Sequence, residues 1–443
     1  MALTPSLVKS TVVAALSGLL FGFDTVVVSG VTGALTDHFA LSPNALGITV
    51  ASALVGTIIG ALTASIPGDR LGRRDSLRIM AVLYLVSAAG SAFAWDWYSL
   101  LFFRILGGLG IGGSSVLGPM YIAEIAPAKW RGRLVGLFQF NVVAGILVAY
   151  LSNFLLGQAH LADLEWRWKL GVAAFPAVFF FLMLFTIPRS PRWLVQKNRI
   201  DEARQSLTLV GEENIDSEIG DMVRVRDAER AKGEGKLFMR SHRLPIFLAV
   251  SIAAFNQLSG INAILYYLND IFARAGFNKV SSDLQAVAIG ATNLLFTMLA
   301  MSLIDKAGRK KLLLIGSVGT ALSLAGVAAI FLSGSHENLL VWLLVGYIAF
   351  FAFSQGAVIW VYISEVFPTD VRAKGQSLGS FTHWAAAAAT SYAFPVIAAK
   401  SKGGPFIFFS AMMVVQLITV AFIYPETKGA TLEEMSGRMN VHV

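Results

Sequence analysis

Runs of roughly twenty apolar residues, almost free of charge, recur along this chain, and each is long enough to cross the hydrocarbon core of a bilayer. Twelve are read, at about 10–33, 44–66, 76–95, 98–124, 132–157, 168–187, 245–273, 283–304, 309–333, 338–367, 374–399 and 404–424. Lipid offers no partner to backbone N–H and C=O groups, so only helices and closed barrels persist there. These Gly- and Pro-rich runs do not alternate as barrel strands must, which leaves helices. With 56% hydrophobic and 14% charged residues among 443, a soluble multidomain protein is excluded. The expected fold is an all-α membrane protein.

The runs are not independent of one another. YIAEIAPAKWRGR, from Tyr121 to Arg133, returns as VYISEVFPTDVRAK, from Val361 to Lys374. Tyr121, Ile122, Glu124, Pro127 and Arg131 recur as Tyr362, Ile363, Glu365, Pro368 and Arg372. At nearly the same offset, Asp69 to Arg74 (DRLGRR) answers Asp305 to Lys310 (DKAGRK), and Pro188 with Ser190 answers Pro425 with Thr427. Three echoes in one order argue for an internal duplication, a design frequent among secondary transporters. The predicted organisation is two pseudo-symmetric six-helix bundles, 1–187 and 244–427, joined by a linker, 188–243, and followed by a short tail, 428–443.

Charge sets the expected orientation. The net charge of +8 sits in short loops after the even-numbered runs (Arg70, Arg73, Arg74; Lys129, Arg131, Arg133; Lys306, Arg309, Lys310, Lys311; Arg372, Lys374), not along one folded face. That is the positive-inside pattern rather than a nucleic-acid surface, and it places both termini in the cytoplasm. The linker is rich in Arg, Glu and Asp, and its periodicity predicts short amphipathic helices over Ile200–Val210 and Ile215–Ala231. Asp24 interrupts the first apolar run and no small-residue cleavage pattern stands out, so that run is expected to stay as a span. The chain has no cysteine, hence neither disulfides nor thiolate metal sites. Walker loops, metal-spaced histidines and Ser-His-Asp arrangements are missing from the sequence, so no cofactor, metal or covalent step is expected.

Polar groups inside a bilayer cost roughly 2.5 to 3.5 kcal/mol each on insertion scales, so each needs a reason. Asp24 lies mid-span between Phe21, Phe23 and Val26. Burial favours the neutral form of a carboxyl, which makes Asp24 a candidate proton carrier; the alternative is a fixed structural ion pair. Arg104, in the fourth run beside Gly107, Gly108, Gly110, Gly112 and Gly113, is its obvious partner. The seventh run carries Asn256, Gln257, Ser259, Gly260 and Asn262. Gln257 and Asn262 would stand about 140° apart on a regular helix, so bringing them together needs a break, most naturally at Ser259-Gly260. Gln139, Asn293, Trp360, His383 and Trp384 add amides and aromatic rings to four further runs. Amides match uncharged hydroxyls, and an indole face covers the apolar face of a sugar. Arg73, Arg74, Glu124 and Arg131, with Arg309, Lys310, Glu365 and Arg372, read either as topology-setting charge or as inter-helix ion pairs that latch the two halves when the cytoplasmic side is closed and release when it opens.

Taken together these residues resemble the sugar porter family of the major facilitator superfamily, across essentially the whole chain. The matching strings are GDRLGRRD (68–75), EIAPAKWRGRL from Glu124, SPRWL from Ser190, QLSGINAILYY (257–267), DKAGRKK (305–311), EVFPTDVRAK from Glu365 and PETKG (425–429). The resemblance implies the twelve-helix major facilitator fold and transport of a monosaccharide by alternating access. It implies that Gln139, Gln257, Asn262, Asn293, Trp360 and Trp384 line the sugar site, with Asn256 and His383 beside them. It further implies a cytoplasmic gate built from Arg73, Arg74, Glu124, Arg131, Arg192, Arg309, Glu365, Arg372 and Glu426.

GFDTVVVSG around Asp24 is similar to the first span of proton-coupled members, which makes proton symport in the cell (inner) membrane the expectation, with a monomer sufficing. A uniporter with a merely structural Asp24–Arg104 pair, or a non-transporting sensor on the same fold, are the alternatives. Three positions depart from the family pattern: Asn256 replaces a first Gln, His383 stands where Gln or Asn is usual, and Arg189 replaces the acid of the Pro-Glu-Ser-Pro-Arg motif.

Overall fold

The computed structural model describes residues 4–127, 129–159, 161–212, 214–231, 237–368 and 371–428; the expected tail beyond 428 lies outside them. Among the described residues there are helices and no strands. The helices that matter below are α1 (Pro5–Val27), α2 (Pro43–Thr63), α3 (Arg73–Ala92), α4 (Trp97–Ile125), α5 (Arg131–Gln158), α6 (Ala174–Met183), α7 (Pro191–Gln196), α8 (Ile200–Val210) and α9 (Ile215–Ala231). After the linker come α10 (Arg243–Leu258), α11 (Ile261–Tyr266), α12 (Lys279–Ala307), α13 (Arg309–Ser333), α14 (Leu340–Phe353), α15 (Gln355–Val366), α16 (Arg372–Lys400) and α17 (Gly404–Phe422).

Ten helical stretches among the described residues are long and apolar enough to cross a membrane. The two other expected spans, 76–95 and 374–399, are continuous helices as well, α3 and α16. Each falls short in apolarity for a visible reason: α3 begins with Arg73, Arg74, Asp75 and Arg78, and α16 opens on Arg372 and Lys374 and carries Ser, Thr and His along its length. The linker forms α8 and α9 where periodicity places them, and with α7 they enclose a small core of Trp193, Leu194, Val195, Ala203, Leu207, Ile219 and Met222.

The described residues pack as two compact units. One takes in the described parts of Met1–Val27, Val55–Ala149 and Ala162–Gly233; the other takes in Val28–Leu54, Tyr150–Leu161 and the described parts of Glu234–Val443. In the first, Leu20, Leu117, Tyr121, Phe138 and Phe180 belong to one buried cluster; in the second, Ile252, Leu313, Tyr362, Phe367 and Val420 do. Lipid tails are as apolar as these side chains, so association rests on close packing, and small residues decide how close backbones come. On α1 and α5 the contact is backbone to backbone. A Cβ at Gly145 would stand 2.1 Å from the Leu19 carbonyl oxygen, and one at Gly22 would stand 1.9 Å from that of Val142. A backbone oxygen cannot swing aside as a side chain can. Gly145→Val is therefore expected to cost at least the roughly 1–3 kcal/mol of overpacking and to replace a monodisperse peak in detergent chromatography by aggregate.

Candidate functional site

The chain stops being helical at Leu258 and restarts at Ile261. Gly260 makes the turn with φ +85, a left-handed conformation that suits glycine, and the Phe409 ring lies 2.3 Å from where a Cβ would sit. The break lets Asn262 Nδ2 donate to Gln257 Oε1 at 3.0 Å, closing the gap that a regular helix would hold open. Gln257 Nε2 donates to Asn256 Oδ1 at 3.0 Å and also faces the His383 ring, with Nε2 nearest at 3.1 Å. Asn256 Nδ2 reaches the Gln355 carbonyl oxygen at 3.4 Å. The His383 ring stands between two indoles, its centroid 5.0 Å from that of Trp360 and 4.8 Å, edge-on, from that of Trp384.

The result is a row of amides with an imidazole and two indoles at one end, on α10, α11, α15 and α16 of the second unit. Asn256, Gln257, His383 and Trp384 are buried, whereas Trp360 is 39% exposed and keeps part of its indole face uncovered by protein. Such a set can exchange donors and acceptors with neutral hydroxyl groups and stack on an apolar ring face. Asn293 is placed on α12, where Thr297 donates to its Oδ1 at 3.5 Å, and Gln139 is half-buried on α5 in the first unit.

Sequence reading passed over two supports of this row. Tyr347 donates to the Ser259 carbonyl oxygen at 3.0 Å, fixing the turn from α14. Gln355 starts α15 after a kink at Ser354 (φ −118, ψ −88), and its own Nε2 meets the Met413 sulfur at 3.1 Å. The signal was the Ser354-Gln355-Gly356 triplet, three small or polar residues after the apolar run of α14.

In the first unit, Arg104 Nη1 donates to Asp24 Oδ1 at 3.1 Å, both side chains buried. Among the described residues Asp24 Oδ2 and Arg104 Nε have no hydrogen-bond partner. The pair is thus monodentate, with spare capacity on both sides in a place where unmet capacity is costly.

The charged ends of the two units are built alike. Arg73 Nε donates to Glu124 Oε1 at 2.9 Å and Nη1 to the Gly68 carbonyl at 2.9 Å, while Ser190 donates to Glu124 Oε2. In the other unit Arg309 Nη2 donates to Glu365 Oε1 at 2.8 Å and Nη1 to the Ile304 carbonyl at 3.3 Å, while Thr427 donates to Glu365 Oε2 at 2.6 Å. Tyr121 donates to the Pro188 carbonyl and Tyr362 to that of Pro425. Even the bend before the arginine is shared: Gly72 has φ +90 and ψ 159, Gly308 φ +90 and ψ 154. Each of these ion pairs lies inside one unit. Arg131 caps the end of α4 through the Ala123 and Ala126 carbonyls, Arg74 bonds Asp75 and the Ile187 carbonyl, Arg192 lies within electrostatic reach of Glu124, and Arg372 begins α16.

The family model for sugar (and other) transporters matches residues 10–438. The chain belongs to the sugar transporter family. It is 34% identical to the D-xylose-proton symporter of Escherichia coli (strain K12), over 96% of this chain and 94% of that one. It is 35% identical to the arabinose-proton symporter of Bacillus subtilis (strain 168), over 95% and 92%, and 34% identical to a glucose transport protein of Synechocystis, over 96% and 95%. The fold agrees with that of the E. coli xylose transporter XylE in a partially occluded inward open conformation, with TM-score 0.87, 32% identity and coverage of 97% and 100%. XylE bound to 6-bromo-6-deoxy-D-glucose gives TM-score 0.80, 33% identity and coverage of 99% and 100%. Membership makes the protein a membrane-spanning transporter and not an enzyme.

Within this transporter frame, the exchange at Arg189 has a structural consequence. In the second unit Glu426 accepts from the backbone N–H of Arg309 at 2.9 Å and of Lys310 at 3.1 Å, an acid at the positive end of α13. Arg189, in the corresponding segment of the first unit, turns to the Asp75 carboxylate at 3.1 Å and to Glu202 at 3.6 Å. The acid at the amide end of α3 is therefore Asp75 of its own first turn, which Arg189 partly neutralises, whereas α13 takes its carboxylate from Glu426. Arg189→Glu places an acid near those amides and removes the Asp75 pairing. It is expected to change the turnover at saturating sugar by about two- to fivefold, the span of a helix-end charge of roughly 0.3–1 kcal/mol. Unchanged kinetics would count against any part for this end in the transport cycle.

Proposed function

We propose that the protein is a proton-coupled monosaccharide symporter, for a hexose or a pentose, working by alternating access between two six-helix bundles, 1–187 and 244–427, with the linker and both termini on the cytoplasmic side of the inner membrane. The observation that carries this reading is the separation of two polar constellations in an apolar fold: an uncharged amide and indole row suited to hydroxyl groups, and a buried carboxyl with one oxygen unpartnered beside a single arginine. The first has the chemistry of a sugar site, the second that of a proton site.

Protonation of Asp24 removes its charge attraction to Arg104 and permits sugar binding and the outward-to-inward change. Loss of the proton, favoured by Arg104, follows on the inside. Coupling requires that sugar and proton each bind one state better than the other, since a ligand of equal affinity shifts nothing. Gln139, Asn256, Gln257, Asn262, Asn293, Trp360, His383 and Trp384 hold the sugar, Trp360 offering its ring face and the amides its hydroxyl contacts. The paired clusters around Arg73–Glu124 and Arg309–Glu365 hold the cytoplasmic ends of the helices, and one chain in the bilayer suffices for the cycle.

The test is uptake of labelled xylose and glucose into proteoliposomes with the outside acid. Accumulation of either sugar above its equilibrium level supports symport. Equilibration without accumulation would make the protein a facilitator, and no flux of either sugar would remove the monosaccharide reading.

A further inference from the structure

Two faces in the first unit carry polar or small residues at the same spacing. On α1 these are Ser10, Ser17 and Asp24; on α4 they are Gly107, Ser114 and Tyr121, each seven residues from the next. A seven-residue step is nearly two turns, so each set lies along one side of its helix at levels about 10.5 Å apart. The two helices run in opposite senses and face each other along this side, with Asp24 at the level of Gly107 and Ser10 at that of Tyr121. Asp24 Oδ2 lies 3.7 Å from where a Cβ on Gly107 would sit, Ser17 Oγ flanks Gly118 in the same way at 2.6 Å, and the Ser10 hydroxyl faces that of Tyr121. From α3, Tyr84 enters the same seam, with its hydroxyl beside Ser114 and within electrostatic reach of Asp24.

Everything in this seam is buried: Ser10 is 1% exposed, Ser17, Ser114 and Tyr121 0%, Tyr84 4% and Asp24 8%. Among the described residues Asp24 Oδ2 has no hydrogen-bond partner, and Tyr84 Oη and Ser114 Oγ have none but each other. A buried carboxylate oxygen left unmet beside a hydroxyl pair that meets only itself is unusual, because a buried polar atom without a partner costs about 1–3 kcal/mol. At its far end Tyr121 donates to the Pro188 carbonyl at 2.7 Å, within one helical turn of Glu124 and its partners Arg73 and Ser190.

We propose that this seam is the proton's exit from Asp24: Tyr84, Ser114 and Ser10, bridged by interior waters, carry the proton through the inside of the bundle to Tyr121 and Glu124, away from the sugar's own path. The step balances simply. The Asp24 carboxyl gives its proton to the file at Oδ2, each hydroxyl or water accepts one proton and passes on another, one proton emerges at the Glu124 end, and Asp24 is left as a carboxylate paired with Arg104. The levels are too far apart for direct transfer, and an unmet carboxylate oxygen and hydroxyls with a lone pair to spare are the groups that hold bridging waters. A separate route lets the proton leave while sugar still occupies its site.

This inference rests on the proton-carrying role of Asp24, so its test is arranged to separate the two. Tyr84→Phe and Ser114→Ala each remove one oxygen and keep the packed shape. In proteoliposomes, sugar-evoked pH change and sugar counterflow at equal pH are measured side by side. Counterflow needs no proton release and should stay within about twofold of the wild type, while the sugar-evoked proton movement slows about tenfold or more in both variants. Proton movement at the wild-type rate in both, or counterflow falling in step with it, would overturn the file. Asp24→Asn is the reference: if it still couples, the role of Asp24 fails and the file with it, and if it alone uncouples, Asp24 stands and the file falls.

Discussion

Asp24→Asn is expected to abolish uphill sugar accumulation and to leave sugar exchange running. Asparagine is neutral, as the protonated aspartate is, so the variant is fixed in the form that binds sugar and crosses. Its Oδ1 still accepts from Arg104, which now holds Asp24 Oδ1 at 3.1 Å, so the buried arginine keeps a partner and the fold survives. With one proton per sugar and a gradient of one pH unit, coupling drives accumulation toward about tenfold, since one unit is worth about 1.4 kcal/mol. The variant should settle near the equilibrium level, with counterflow close to that of the wild type. Retained accumulation would move the proton site elsewhere, and loss of exchange together with accumulation would make the pair structural.

The second large effect is expected at Gln257. Leucine there has nearly the same volume but no amide, so packing holds while the row loses its centre. Asn262 Nδ2 and Asn256 Oδ1 lose the partners they have at 3.0 Å, and the His383 ring loses the N–H that faces it. At about 0.5–1.5 kcal/mol for each hydrogen bond, and more for groups left unmet, Gln257→Leu should raise the sugar concentration for half-saturation roughly ten- to a hundredfold. Thermal stability in detergent should fall modestly, since the partners of the amide are left unmet. A half-saturation value like that of the wild type would take Gln257 out of the sugar site.

The membrane fold was legible because bilayer physics leaves few solutions: twenty apolar residues with basic loops between them are read from composition and length alone. The polar clusters were legible for the same reason, since Asp24, Arg104 and the Asn256–Asn262 string are expensive where they stand. The break at Gly260 followed from a geometric demand, and the structure places it at that residue. What stayed hidden depends on rotation and partner choice, which spacing alone does not fix. That Asn256 leans on the Gln355 carbonyl, or that Tyr347 braces Ser259, comes from how α14 and α15 turn about the kink at Ser354. The two spans lowest in apolarity, α3 and α16, were called as spans because their central turns are apolar, although their charged starts lower the average. Arg189 was visible as a departure, but not its new partner Asp75, four residues into the loop motif GRRD.

The most direct measurement of the central claim reverses the usual experiment. Proteoliposomes at equal pH on both sides, with a pH dye inside and a valinomycin clamp on the membrane potential, receive an inward gradient of xylose or glucose. The lumen is expected to acidify as sugar enters, the change should follow the sugar gradient in sign when the gradient is reversed, and Asp24→Asn, in vesicles preloaded with unlabelled sugar, should take up label by exchange with no pH change. Sugar entering the wild-type vesicles with the lumenal pH flat would contradict symport.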